Sequence, residues 1–411
     1  MKKKRMMAAL ALAMALGSTM PVCAAGMYSD AIGGEMEFSF SKYLVMDSEA
    51  NVPNAEFSYA VTAGAAKSYD VAGKKFQILP GVDADRVVMS GAAEGAGIKV
   101  AFAAGDATKN DENAYVKDYD NATQKYAEKS VTLDFSAVRF TEPGVYRYIV
   151  TESGENQGVT NDADLTRVID VYVVDATDAV EPPEEGEFED PFARSGRAGE
   201  YKLSILGYVL HASESDVVSG DELGSADAET AGKGQGFTNT YATTDMTVRK
   251  EVSGNQASRD KYFEFTLSIT DAVPGAVYDV DLSGADAVSG TNDATIAENE
   301  GKTNPAQITV GADGTLEQKF YLRHGQAIVV KGLAPDTGYA WNENAEDYKS
   351  TPMNDKTSGT VAADDIDTGF TNTRNGVIPT GVVMTVAPFA AVTLVGGAGA
   401  VLFMRKKKDE D

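Results

Sequence analysis

Short runs in which apolar and polar residues alternate recur through the body of this chain, and they restrict its fold more than any other feature. Side chains of a β-strand alternate between the two faces of a sheet, so a period of two predicts half-buried strands. Clusters of Gly, Asp, Asn and Pro separate the runs, and outside the two ends no long segment has a helical period. The runs predicted as strands are 36–46, 56–62, 131–140, 145–152, 168–175, 201–210, 246–252, 262–270, 317–322 and 327–332.

The spacing of these runs predicts the architecture. Short strands separated by turn signals are typical of β-sandwiches, so we predict an all-β fold with two tandem immunoglobulin-like domains. Roughly 350 residues between the two ends are enough for two cores. The first domain is predicted at 26–242 and the second at 243–374. A Pro- and Glu-rich segment, 178–200, interrupts the first domain and is predicted to be a surface loop.

Three polar residues lie in phase with the apolar face of their strands, in the same order in both predicted domains. A lysine lies on the first strand, a glutamate on a later strand and an asparagine on the last. Alternation therefore aims all of them at the core. The two trios are Lys42, Glu152 and Asn239, and Lys250, Glu343 and Asn372.

The repetition of the trio favours a reaction over two simpler interpretations. A single inward lysine usually extends to water from a strand end, and a buried Lys–Glu ion pair is the second alternative. In an apolar core, desolvation lowers the pKa of lysine and raises that of glutamate. A neutral amine is a nucleophile, and a protonated carboxyl can polarise the asparagine carbonyl and relay protons. The predicted product is a Lys–Asn isopeptide bond, formed with loss of ammonia, that joins the first and last strands.

The two ends of the chain predict export and anchoring. Basic residues 2–5, the apolar run 6–16 and a small-residue site at 22–24 indicate a signal peptide, 1–25, cut after Ala24 or Ala25. A lipoprotein site at Cys23 is the alternative, which the bulky Val22 disfavours. At the other end, the uncharged segment 382–404 is long enough to span a bilayer, and the basic residues that open the charged tail 405–411 are predicted to stay cytoplasmic.

The peptide just before the predicted span, within 375–381, has its own signature. Proline fixes one backbone dihedral and removes a donor, and glycine follows without a side chain, so the peptide stays extended and exposed. An ordinary membrane anchor is the alternative interpretation. The residues concerned are Val377, Ile378, Pro379, Thr380 and Gly381.

Composition excludes several classes of function. After cleavage of the signal peptide the chain has no cysteine, which rules out disulfides, Cys-ligated zinc and a cysteine nucleophile. A net charge of −26 makes nucleic acid an implausible partner. His211 and His324 are far apart and outside any hydrolase motif. Acidic pairs such as Asp279 and Asp281 do not fit a 12-residue calcium loop, so neither a metal site nor a cofactor is expected.

Taken together, these motifs resemble streptococcal-type two-domain backbone (major) pilins, which are built of isopeptide linkage domains related to collagen-adhesin B-type repeats. The resemblance implies Lys42–Asn239 and Lys250–Asn372 bonds, with Glu152 and Glu343 as their catalysts. The second acid follows Trp-Asn where the family more often has Val-Thr, and Glu346 lies nearby as an alternative. The matching stretches are Ser-Lys-Tyr-Leu at 41–44, Pro-Gly-Val-Tyr-Arg-Tyr at 143–148 leading to Glu152, Phe-Thr-Asn at 237–239, 247–254, Glu343 and Phe-Thr-Asn at 370–372.

The C-terminal peptide resembles a Gram-positive sortase sorting signal, which implies cleavage between Thr380 and Gly381 and transfer of the Thr380 carbonyl to an amine. In the resembled pilins a lysine seven residues before the first bonding asparagine accepts it. Gly232 occupies that offset here, and Lys233 lies one residue later in a glycine-rich segment. Lys233 is therefore the predicted acceptor, with Lys202 as the alternative.

The sequence thus predicts a structural protein rather than an enzyme: a backbone pilin exported to the surface of a Gram-positive bacterium. Its expected partners are a pilus-type (class C) sortase, other copies of itself in a covalent homopolymer, accessory pilins and peptidoglycan, with transient membrane anchoring by the precursor. The alternative is a monomeric sortase-anchored adhesin or stalk with the same domains. A wall-anchored hydrolase lacks a candidate set of nucleophile and base.

Overall fold

The computed structural model describes residues 36–71, 74–90, 98–175, 203–212, 236–284 and 303–376. These residues are all-β, as predicted, and the 3₁₀ turn Ala84–Arg86 is their one helical element. Within them no helix has the length and apolar character needed to cross a bilayer. The predicted signal peptide, the span 382–404, the peptide 377–381, Lys202 and Lys233 lie outside the described residues.

The first sandwich consists of two sheets built from the strands up to residue 241. One sheet has the order β10-β13-β1-β8-β5, with β7 beside β8. The other has the order β12-β11-β9-β2-β6, with β4 also paired to β9 and β3 to β4. The strands are β1 Glu37–Asp47, β2 Ala55–Ala63, β3 Lys67–Val71, β4 Lys74–Pro80, β5 Val88–Ser90, β6 Ile98–Phe102, β7 Thr108–Lys109, β8 Gln124–Asp134, β9 Gly144–Ser153, β10 Val159–Thr160, β11 Thr166–Asp175, β12 Leu203–His211 and β13 Phe237–Tyr241.

The second sandwich follows after two residues and also has two sheets. Their strand orders are β17-β16-β19-β14-β23-β21 and β18-β15-β20-β22. The strands are β14 Thr244–Ser253, β15 Phe263–Thr270, β16 Val277–Gly284, β17 Gln307–Thr309, β18 Leu316–Leu322, β19 Gln326–Leu333, β20 Gly338–Asn344, β21 Lys349–Pro352, β22 Ser358–Thr360 and β23 Ile366–Thr373.

Each pair of sheets encloses its own hydrophobic core. The strict alternation of buried and more exposed residues along β14 and β15 shows why the period of two predicts these strands. The predicted strand at 131–140 is displaced: β8 ends at Asp134, because the Ser136 N–H donates to Asp134 Oδ1 at 2.8 Å and turns the chain. Phe135 and Val138 beyond it are buried without being in a strand.

The first and last strands of each sandwich are hydrogen-bonded side by side in parallel. In the first sandwich β1 pairs with β13, so that Lys42 lies opposite Phe237 and Leu44 opposite Asn239. In the second, β14 pairs with β23 in the same register, with Lys250 opposite Phe370 and Val252 opposite Asn372. In both sandwiches the asparagine therefore lies two residues beyond the position opposite the lysine.

The two sandwiches contact each other directly. Lys331 Nζ of the second lies 2.7 Å from Glu49 Oε2 of the first and 2.8 Å from Asp281 Oδ2 of its own sandwich. Gly332, whose φ is 77°, brings the backbone against Ala50, and Ala334 packs into the first core. The junction thus combines apolar packing with ion pairing.

Candidate cross-linking sites

The first trio meets inside the first sandwich. Lys42 Nζ lies 2.9 Å from Glu152 Oε1 and 2.8 Å from Oε2. Asn239 donates from Nδ2 to the same Oε1 at 2.8 Å. Lys42 and Asn239 are 0% exposed and Glu152 is 1% exposed, so a single carboxylate oxygen joins the amine and the amide with no solvent between them.

Strand β2 completes the walls of this site. The Lys42 ammonium lies 4.2 Å from the centre of the Phe57 ring, which supplies a cation–π contact. Tyr59 lies opposite Glu152 in the β2–β9 register, and its hydroxyl donates to Glu152 Oε2 at 2.6 Å. Alternation along β2 explains both contacts, because Phe57 and Tyr59 lie on one face of the strand.

Burial shifts the acid–base chemistry of the site. Desolvation lowers the pKa of Lys42 from 10.5 to about 8, although the nearby Glu152 carboxylate opposes the shift. Burial, together with the charge of Glu152, raises the pKa of Tyr59, so its hydroxyl remains a proton donor. A lysine with a pKa of about 8 is neutral in roughly a tenth of molecules at neutral pH, which makes it a usable nucleophile.

The side-chain amide of Asn239 is held in one orientation. Its Oδ1 accepts the backbone N–H of Asp162 at 2.9 Å, and its Nδ2 donates to Asn161 Oδ1 at 3.0 Å as well as to Glu152. Glu152 therefore contacts Nδ2 of Asn239, the nitrogen that would leave as ammonia in the predicted reaction. The hydrogen bond to the carbonyl oxygen, which was expected from a protonated Glu152, comes instead from the backbone N–H of Asp162.

The second trio meets in the same way inside the second sandwich. Lys250 Nζ lies 2.5 Å from Glu343 Oε1, and Asn372 donates from Nδ2 to that oxygen at 2.9 Å. The Phe263 ring centre lies 4.4 Å from the ammonium and takes the place that Phe57 has in the first site. Desolvation likewise lowers the pKa of Lys250 to about 8. The glutamate side chain is 1% exposed.

The two sites differ in how the glutamate and the amide are supported. The counterpart of Tyr59 opposite Glu343 is Phe265, and the hydroxyl bond to the carboxylate comes instead from Ser350 on β21, at 2.6 Å. Asn372 Oδ1 is buried, and among the described residues it has no hydrogen-bond partner. The second amide is therefore held from its nitrogen side alone.

The alternative acid of the second site points elsewhere. Glu346 pairs at the surface with Lys261 Nζ at 2.5 Å, from a position with a left-handed φ of 49°. The structure thus brings Glu343, and not Glu346, to Lys250.

Sequence reasoning located the six residues of the trios but missed their supporting groups. The phase of Tyr59 with Phe57 was an available signal. Asn161 and Asp162 come from the loop between β10 and β11, where no periodicity applies, and Ser350 becomes visible only through its register opposite Asn372. Unlike Tyr59, these three residues carry no signal in the sequence.

Two family models match the chain, one for each sandwich. Residues 96–242 match FctA, described as a Spy0128-like isopeptide containing domain. Residues 244–374 match a family described as a domain of unknown function (DUF7601). The first match ends three residues after Asn239, and the second spans Lys250, Glu343 and Asn372.

The chain is also similar to streptococcal pilins, one found by sequence and two by structure. A curated "Pilin" of Streptococcus pyogenes serotype M1 is 26% identical over 299 residues, which cover 68% of this chain and 72% of the relative. The crystal structure of the major pilin from S. pyogenes has a TM-score of 0.46 at 21% identity, and covers 84% of this chain and 100% of that one. The S. pyogenes major pilin T3.2 also has a TM-score of 0.46, at 21% identity and with 83% and 99% coverage.

The isopeptide-domain match and the curated relative confirm the predicted resemblance to isopeptide-containing streptococcal pilins. With it they confirm that the chain is a structural, pilin-type protein rather than an enzyme.

Proposed function

We propose that this protein is the backbone subunit of a sortase-assembled pilus on a Gram-positive cell, and that each of its two sandwiches is locked by one intramolecular Lys–Asn isopeptide bond. The observation that carries the proposal is the duplicated buried trio. In both sandwiches a lysine and an asparagine occupy the same register of the parallel first and last strands, and a glutamate from a third strand contacts both. A core that served stability alone would gain little from two buried charges in each half.

The geometry supports a balanced reaction. Lys42 first passes a proton to Glu152, which lies within 3 Å. The neutral Nζ then attacks Cγ of Asn239, and the carbonyl electrons move to Oδ1. Glu152 passes its proton to Nδ2 and then takes a second proton from Nζ. As the carbonyl re-forms, the Cγ–Nδ2 bond breaks and ammonia leaves, with Glu152 left protonated. Lys250, Glu343 and Asn372 are proposed to react in the same way.

The polymer itself is proposed to form between the C-terminal peptide of one subunit and a lysine of the next. A class C sortase would cut between Thr380 and Gly381, and the Thr380 carbonyl would join Lys233 of the next subunit, with Lys202 as the alternative acceptor. The signal peptide 1–25 and the span 382–404 would deliver and hold the precursor at the membrane until that step. Accessory pilins and peptidoglycan are the proposed partners at the ends of the fibre.

An immunoblot of boiled, denatured cell-wall extract tests this assembly. Wild type should give a ladder of covalent multimers, and Lys233→Ala should collapse it to the monomer, with Lys202→Ala as the matched control. A ladder that survives Lys233→Ala and collapses in Lys202→Ala would move the acceptor. A single band in wild type would contradict the pilin proposal and favour a monomeric adhesin or stalk.

A further inference from the structure

The most informative difference between the two cross-linking sites lies at the carbonyl oxygen of the asparagine. In the first site this oxygen accepts a backbone N–H, from Asp162. In the second site the corresponding oxygen, Oδ1 of Asn372, is buried without a partner among the described residues. Negative charge develops on this oxygen when the lysine attacks, so a donor aimed at it acts in the transition state.

The donor in the first site is held rigidly by a buried network. The Asp162 side chain is 1% exposed. Its Oδ2 accepts the backbone N–H of Thr238 at 2.9 Å and the guanidinium of Arg167 at 2.6 Å. Arg167 in turn donates to the Gly236 carbonyl and lies 4.4 Å from the centre of the Phe237 ring. The aspartate thus ties its own loop to β13 on the N-terminal side of the reactive asparagine.

The neighbouring loop residue fixes the rest of the amide. Asn161 accepts one hydrogen of the Asn239 amide on its Oδ1 and anchors itself through its own Nδ2 to the Gly154 carbonyl, at 2.9 Å. Both hydrogens and the oxygen of the Asn239 amide are therefore bonded, and its plane is set before the lysine attacks. Such preorganisation lowers the barrier because the amide does not have to be reoriented during the reaction.

We propose that the backbone amide of Asp162 is the oxyanion donor of the first cross-linking reaction, and that the Asp162 carboxylate and Asn161 are its positioning groups. This inference rests on the proposed isopeptide chemistry. Removing one oxyanion donor typically slows acyl transfer by roughly 100-fold or more. The Lys42–Asn239 bond should accordingly form at least roughly tenfold faster than the Lys250–Asn372 bond once both sandwiches have folded.

Cell-free synthesis of the full chain, followed by a timed chase, denaturing quench and proteolysis, would measure both reactions at once. Each cross-link gives its own branched peptide, which mass spectrometry can quantify over time. The sharpest perturbation replaces Asp162 by its α-hydroxy acid analogue, which turns the donating N–H into an ester oxygen and leaves the side chain in place. The second site in the same molecule is the matched internal control.

We expect the ester to slow formation of the Lys42–Asn239 peptide by roughly 100-fold and to leave the Lys250–Asn372 peptide unchanged. Asp162→Asn, which keeps the backbone donor and the acceptor for Thr238, should slow the first reaction much less than the ester. Both variants carried in a Glu152→Gln chain, where no first bond forms, should show equal protease resistance if the fold is intact.

Four outcomes would be decisive. An unchanged first reaction in the ester, or equal rates at the two sites in wild type, would overturn the oxyanion assignment while leaving the cross-links in place. An ester that slows both sites equally would also overturn it. The absence of both branched peptides in wild type would overturn the isopeptide proposal itself.

Discussion

Replacing Asn239 by alanine removes the electrophile of the first site and leaves the Lys42–Glu152 pair in place, which makes it the cleanest test of the cross-link. The bond would close a loop of 197 residues between positions 42 and 239. By analogy with a disulfide, the chain-entropy model gives about 5 kcal/mol for a loop of this length. For a sandwich of this size, 1 kcal/mol corresponds to roughly 2–4 °C in Tm. Asn239→Ala should therefore lower the Tm of the first sandwich by roughly 10–20 °C.

Intact mass and calorimetry on the same samples provide the assay. Residues 26–376 of the wild type should weigh less than their sequence mass by two ammonia molecules, and Asn239→Ala should be short of its own sequence mass by one. Asn372→Ala is the matched control, because its loop of 122 residues gives a similar entropy. A wild-type mass equal to the sequence mass would refute the bond. A mass deficit of one ammonia in Asn239→Ala with an unchanged Tm would refute the energetic reasoning.

Three further predictions concern single side chains of the sites. In the Asn239→Ala chain, the Lys42 pKa of about 8 lies below its ordinary 10.5, so the unfolded state binds more protons between these values. The free energy of unfolding should thus rise by about 3 kcal/mol from pH 8 to 10.5 relative to the same chain with Lys42→Met and Glu152→Gln added, as denaturant titrations would show. Tyr59→Phe in the Asn239→Ala chain should cost about 1–3 kcal/mol at pH 7, because it deletes a buried donor to a carboxylate; a change below a few tenths would contradict that contact. Glu343→Gln should restore one ammonia to the intact mass while Glu346→Gln restores none, and the reverse result would exchange their roles.

The trios could be predicted because a strand has only two faces. Once Phe40 and Leu44 are assigned to the core, Lys42 between them in phase must point there as well, whatever the partner strand. The same reasoning applies to Asn239, in phase with Phe237. The structure places both side chains at 0% exposure. Alternation does not identify which strands are neighbours. The parallel pairing of β1 with β13 is therefore a feature that the structure supplies and the pattern of residues does not.

The features that the sequence did not predict lie in loops and turns or depend on which strands are neighbours. The end of β8 was misplaced because Phe135 and Val138 remain buried after the chain has turned, and apolar residues in a buried turn imitate a strand. Asp162 acts through its backbone N–H, a group that every non-proline residue has, so its identity carries no signal for that role. Ser350 supports Glu343 from a strand that sequence patterning did not detect.

The final prediction concerns force, because the cross-links lie on the path that a pull on the chain would take. A pull between residues 36 and 376 loads the parallel pairs β1–β13 and β14–β23 in shear. With both bonds formed, tension passes from Lys42 directly to Asn239 and from Lys250 directly to Asn372, so the residues between them carry no load. Single-molecule extension of the wild type should therefore show no domain-sized step before the tether breaks. Asn239→Ala should release about 650 Å and Asn372→Ala about 400 Å, at roughly 3.4 Å per residue. A wild-type step of about 650 Å would show that the first sandwich is not covalently closed, whatever its thermal stability.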